Sequence, residues 1–101
     1  MARIDKTFPH QLKLREARER AKNILRALKE KAEDFLDNSS EEWDGNTCSF
    51  VFVMFGEETS GTVTVTETGV RFVTDELPES IAPHWGIFED ELEKSAAAEL
   101  N

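Results

Sequence analysis

This chain of 101 residues has one cysteine, two histidines and, after residue 31, only two cations. Each scarcity excludes something. A lone Cys48 forbids an internal disulfide, and its place in an apolar run points to a buried thiol in a reducing compartment rather than to a nucleophile. Nucleophilic catalysis needs Ser, Cys or Thr beside a base steadied by a third group, and neither His10 nor His84 sits in such a motif. His84 with Glu89 or Asp90 matches no metal-ligand spacing, and adjacent pairs such as Glu41–Glu42 and Glu57–Glu58 read as solvated surface rather than acid–base machinery. The polar loop from Gly56 to Gly61 has no lysine and two glutamates, so it is not a phosphate loop. The expectation is a protein that is not an enzyme and binds no cofactor or metal. No apolar run is long enough to span a bilayer, and residues 1–30 are too charged for a secretory signal. A cytoplasmic protein without a transmembrane segment is therefore expected. With no repeats and no linker, residues 1–101 read as a single domain, able to bury roughly 60 to 70% of its unfolded surface.

The shortage of late cations hides a division. Residues 1–31 hold ten Lys or Arg against four acids, a net of +6, while residues 32–101 hold Arg71 and Lys94 against seventeen acids, a net of −15. An acidic sheet and second helix lying against a basic first helix would satisfy that division, within one molecule or between two copies. Nucleic acid is not an expected partner: the overall charge of −9 repels phosphate, and no aromatic interleaves the basic residues.

What the sequence does have is a long periodic stretch from Leu14 to Leu36. Leu14, Ala17, Ala21, Ile24, Leu25, Leu28, Ala32, Phe35 and Leu36 recur at steps of three and four, which keeps them on one side of a helix turning about 100° per residue. Arg18, Lys22 and Lys29, with Arg15 and Arg26 slightly further round, follow one flank of that stripe as a candidate basic rail for an anionic partner. The bland alternative is a solvated face with Glu16–Arg20 and Arg26–Glu30 pairs adding a few tenths of a kcal/mol each.

Around this helix the chain reads as strands. Ala2 to Phe8 forms a short strand broken by Pro9, with His10 at the join as a turn residue or cap. Asp37 to Ser40 is a loop by composition; Glu41 to Trp43 starts a strand and Asp44-Gly45 signals a tight hairpin. Thr47 to Phe55 is the central strand, with Cys48, Phe50, Phe52 and Met54 on one face and Val51, Val53 and Phe55 on the other. A strand apolar on both sides is normally covered on both. Val63 and Val65, then Val70 and Phe72, face inward from a second hairpin through Glu67-Thr68-Gly69. Leu77-Pro78 blocks regular helix, Ser80 caps a short turn holding Ile81, and Pro83 opens a last helix keyed by Trp85, Phe88, Leu92 and Ala96. Its Ala-rich end should fray, and Gly86 within it suggests close packing against a neighbour. The order strand, helix, hairpin, hairpin, helix predicts an α+β fold: an antiparallel sheet of four to five strands with the long N-terminal helix and the C-terminal helix on one face.

Taken together, the segment from Ile4 through His10, the helix start Leu14-Arg15-Glu16-Ala17-Arg18, the Trp43-Asp44-Gly45-Asn46 turn, the strand pair at Gly61, and the ending Leu77-Pro78 with Pro83, Gly86, Ile87 and Leu92 resemble the small bacterial polyhydroxyalkanoic acid system proteins. The resemblance runs from about residue 4 to residue 95. It implies association with polyester storage granules and supplies no catalytic residues; the acidic loop Gly56–Ser60 and the Ala-rich tail depart from it. The expected function is thus a non-enzymatic interaction protein whose Val51, Val53 and Phe55 meet a polyester surface or a second copy in a homodimer. The alternative is a small-ligand domain holding a lipid or acyl group in a cavity lined by Phe50, Phe52, Phe72 and Trp85.

Overall fold

The computed structural model describes residues 3–34, 36–75, 77, 79–80 and 82–100, with the side chains of Ala82 and Trp85 outside that description. Helix α1 runs Leu14–Lys31 and buries Ala17, Ala21, Ile24, Leu25 and Leu28, the stripe expected from the periodicity. Glu16 in its first turn and Lys29 and Lys31 in its last complement the helix dipole. The helix is shorter than its apolar pattern. Ala32 is its C-cap at φ −90 and ψ 0, the N–H still donating to Leu28 O at 3.1 Å, and it stays fully buried. Periodicity reports which side faces the core and not whether the backbone is still helical, so the expected end at Leu36 overshoots. Phe35 lies outside the described residues.

Five strands follow the order β1-β5-β4-β3-β2, every neighbour antiparallel. They are β1 (Asp5–Pro9), β2 (Leu36–Asp44), β3 (Thr47–Met54), β4 (Glu57–Val65) and β5 (Gly69–Thr74). Three boundaries correct the reading from sequence. Pro9 is the last residue of β1 rather than its breaker: β1 is an edge strand, where a missing donor can face outward. Asp37 to Ser40 is strand, not loop, because the backbone of β2 keeps pairing with β3 through a register shift between Leu36 and Asn38. Glu57 to Gly61 is also strand, since β3 and β4 are joined by the tight turn Phe55–Gly56, with φ of +55 and +77. The Gly45–Asn46 turn joining β2 to β3 has its positive φ, +62, at Gly45.

A short 3-10 turn, Ala82–His84, leads into α2 (Trp85–Leu100), which packs on α1 and reaches β1. Phe88, Leu92, Ala96 and Leu100 are buried. The tail therefore does not fray: Leu100 is only 3% exposed, and Glu99 accepts hydrogen bonds from Arg20 at 3.3 Å and Asn23 at 3.1 Å. Gly86 is exposed and a Cβ there would meet nothing within 4 Å, so no close neighbour demands it. Part of the charge division is paired within one molecule. Lys6 reaches Glu89 and Glu93, Arg20 reaches Glu99, and Lys29 reaches Glu41, each partly exposed and contributing about 0 to 1 kcal/mol. Both helices lie over the face that carries Cys48, Phe50, Phe52, Met54, Val63, Val65, Val70 and Phe72, and the core is there. Ala2, Pro78 and Ile81, to which the sequence assigns a strand start, a helix block and a turn, fall outside the described residues.

Candidate functional site

Strand alternation puts the other half of β3 on the uncovered side of the sheet. Thr47, Ser49, Val51 and Val53 form a row in which both valines are half-buried and neither is sealed. Their β4 neighbours are Thr64, Thr62, Ser60 and Glu58, and beyond these Thr62 faces Val73 and Thr64 faces Arg71 on β5. In a chain with 33% charged residues, the middle of this face carries almost no charge. Its exceptions are marginal. Glu58 sits at one end, and Arg71 is held by two hydrogen bonds to Asp5, at 3.0 and 2.8 Å, which keep the Asp5 carboxyl below the usual range. Asn38, Ser40, Glu42 and Asp44 of edge strand β2 complete the surface, so its acids stand at the rim. Each threonine offers a methyl group and a hydroxyl, and the hydroxyl both donates and accepts.

Phe55 does not extend the valine row. β3 ends at Met54, and the left-handed backbone at Phe55 swings its ring onto His84, with centroids 5.2 Å apart and planes at 23°. The expected interface of Val51, Val53 and Phe55 is therefore two neighbouring features: a strip on the sheet face and an aromatic at its end. The tip is fastened on both sides. Gly56 donates its N–H to Asp37 Oδ2 at 3.1 Å, and the Ser80 hydroxyl donates to Glu57 Oε2.

Between helices and sheet, Phe50, Phe52 and Phe72 do line a common cavity, with Ile4, Met54, Leu77, Phe88 and Leu92 among their neighbours. The Trp85 side chain lies outside the description. The cavity measures about 40 Å³, room for a water-sized guest, whereas pockets for drug-sized ligands measure roughly 300 to 1,000 Å³. Thr74 Oγ1 on its wall accepts from Ile4 N–H at 2.8 Å, while the buried Thr59 Oγ1 has no hydrogen-bond partner among the described residues.

The basic rail is largely engaged. Arg18 and Lys22 lie over the Trp43 ring, 5.9 and 5.6 Å from its centroid; Lys22 also pairs with Glu19 and Lys29 with Glu41, leaving Arg15 and Arg26 as its exposed members. Trp43 as partner of the rail escapes a sequence reading, because nothing in a helical wheel shows which strand will lie beneath it. His10 is a structural residue. Its Nδ1 accepts from Leu12 N–H at 3.0 Å, which places the proton on Nε2, and Nε2 donates to Thr66 O at 2.8 Å. Burial pushes the Cys48 thiol up, away from the reactive thiolate. Among the described residues no cluster of His, Cys, Asp and Glu could hold a metal ion, and no helix is long and apolar enough to cross a membrane.

No family model matches the chain, and no curated protein matches it. Among solved structures, TTHA0849 from Thermus thermophilus is 13% identical, with 98% of this chain and 94% of that chain covered and a TM-score of 0.40.

Proposed function

We propose that this chain is a non-enzymatic, cytoplasmic binding protein that docks through the sheet face opposite its helices, and that its partner is the surface of a polyester storage granule. The observation that carries the reading is the nearly charge-free field of Ser, Thr and Val across β3, β4 and β5. An ester polymer offers carbonyl acceptors and alkyl groups but no donors. A field of hydroxyl donors interleaved with methyl groups complements it, and gives neither the cations that phosphate attracts nor the continuous apolar area of an obligate interface. The polyester itself comes from the family resemblance.

The test is co-sedimentation with amorphous poly(3-hydroxybutyrate) particles. The wild-type protein should pellet, and the double variant Val51→Lys, Thr62→Lys should stay in the supernatant while still melting cooperatively, its melting temperature lowered by about 8 °C at most. A wild-type protein that stays soluble with the particles rejects the reading.

A second copy is the other candidate for the same face, because hydroxyls that donate and accept make it self-complementary about a twofold axis. On that reading Val53→Asp turns a dimer into a monomer by light scattering, and an unchanged mass rejects it. The lipid alternative draws little from a cavity of about 40 Å³. Native mass spectrometry without a co-purified acyl species would dispose of it.

A further inference from the structure

β2 closes one edge of the sheet, with β3 beside it and no second neighbour among the described strands. It runs nine residues without a proline, whereas the opposite edge, β1, has five and ends in Pro9. A long edge of this kind is a template for a further strand. Antiparallel partners turn alternate backbone groups toward and away from each other. Asp44 and Thr47 close the two-residue turn, so Asp44, Glu42 and Ser40 pair inward, and Trp43, Glu41 and Ser39 turn their N–H and C=O groups outward. The Ser39 N–H accordingly donates to the side chain of its own neighbour, Asn38 Oδ1, at 2.9 Å.

Three contacts fix the basic flank of α1 over this edge: Lys29 pairs with Glu41 at 3.4 Å, and Arg18 and Lys22 lie over the Trp43 ring at 5.9 and 5.6 Å. Arg15 and Arg26 stand at steps of three and four from those residues, so they share the flank, and both are exposed. Neither they nor Arg18 pairs with a carboxylate among the described residues. Two buried donors at the same place, Arg18 Nε and Trp43 Nε1, have no acceptor there, and neither group can accept. The helix side of the edge is thus rich in donors and short of acceptors. The open side is its reverse, since Glu42 and Asp44 stand there without a cation among the described residues.

Charge selects the occupant. A second copy paired antiparallel through β2 would set two basic flanks facing each other on one side of the joined sheet. We propose that β2 instead accepts an extended segment of another protein as an added strand, its acidic side chains toward Arg15, Arg18 and Arg26 and its basic side chains toward Glu42 and Asp44. Its carboxylates then supply the acceptors that the helix side lacks. This edge does not depend on what binds the open face.

A fluorescein-labelled, acetylated octapeptide of alternating Glu and Lys is titrated with the protein and followed by anisotropy, beside a block peptide of the same composition. The alternating peptide should bind saturably and the block peptide about tenfold more weakly or less, because only alternation sorts the charges by face. Of two alternating peptides, one N-methylated at every Glu and the other at every Lys, one should lose binding and the other keep it, since a single set of amides faces β2. The double variant Arg18→Gln, Arg26→Gln should weaken binding about tenfold while still melting cooperatively. No binding by the wild type overturns the proposal. Equal binding of the alternating and block peptides, or of the two methylated ones, would mean charge attraction without strand pairing and overturns it as well, as does wild-type affinity in the double variant. A wild-type dimer in light scattering that Ser39→Pro dissociates would give the edge to a second copy, and the proposed occupant falls.

Discussion

The two faces of β3 are written in similar residues and end in different surroundings. Phe50 and Phe52, at 6% and 5% exposure, lie beneath α1 and α2, while Val51 and Val53, one residue away, are only partly buried, Val51 between Ser40 and Ser60 and Val53 between Asn38 and Glu58. Hydrophobicity read along the strand does not separate them; what separates them is the layer above. If that is so, equal-looking apolar positions must differ sharply in cost. Phe52→Ala should destabilise the fold by about 3 to 5 kcal/mol, through lost transfer and the cavity left behind. Val51→Ala, at a position only partly buried, should cost about 1 kcal/mol or less. Urea unfolding of the two variants decides it, and equal losses would mean that the outer face is covered in solution.

Glycines sharpen the same contrast with residue type held constant. Gly61 lies on the covered face, where an added Cβ would fall 2.5 Å from Phe50 Cζ and 2.5 Å from the Val73 carbonyl oxygen. The ring could turn, but the carbonyl belongs to the sheet ladder. Gly61→Ala should therefore cost about 1 to 3 kcal/mol as the strands separate or the Phe50 ring is displaced. Gly86 is its opposite, exposed in α2 with open space where a Cβ would go. Gly86→Ala should stabilise the protein by about 0.5 to 1 kcal/mol, through the restricted unfolded chain and better helix propensity. Paired thermal melts check both signs, and a destabilising Gly86→Ala would reveal a partner for α2 that the protomer does not provide.

How far such surroundings can be read from sequence depends on the element. The stripe of α1 and the inward aromatics of β3 are legible because a deep, continuous core imposes a period on the residues that line it. The α+β order and the two helices on one side follow from that. β2 is half hidden: as an edge strand, exposed along most of its length, it needs only a backbone that pairs, and Asp37 to Ser40 carry no alternation to betray it. Glu57 and Glu58 are hidden in the same way, and the turn before them puts a phenylalanine where the usual signal is Asn or Asp. The candidate site is legible only in part. Val51 and Val53 fall where alternation places them, but the threonine field beside them depends on the register of β3 with β4, and the departure of Phe55 depends on one backbone angle.

The smallest expected effect concerns an ion pair on the open face. Asp5 and Arg71 meet through two hydrogen bonds at the β1–β5 edge, and the guanidinium holds the Asp5 carboxyl below its ordinary value of 3.8. A carboxyl lowered on folding adds stability that is present above its unfolded value and is lost as pH falls through the folded one. The difference in melting temperature between wild type and Asp5→Asn should therefore be level from about pH 5 to 7 and shrink as pH drops below about 4. Because the pair is exposed to solvent, raising the salt should also shrink it. A difference that persists unchanged in acid or in high salt would mean that water does not reach the pair. That would place a covering layer over this face too, and the contrast between the two sides of the sheet would no longer hold.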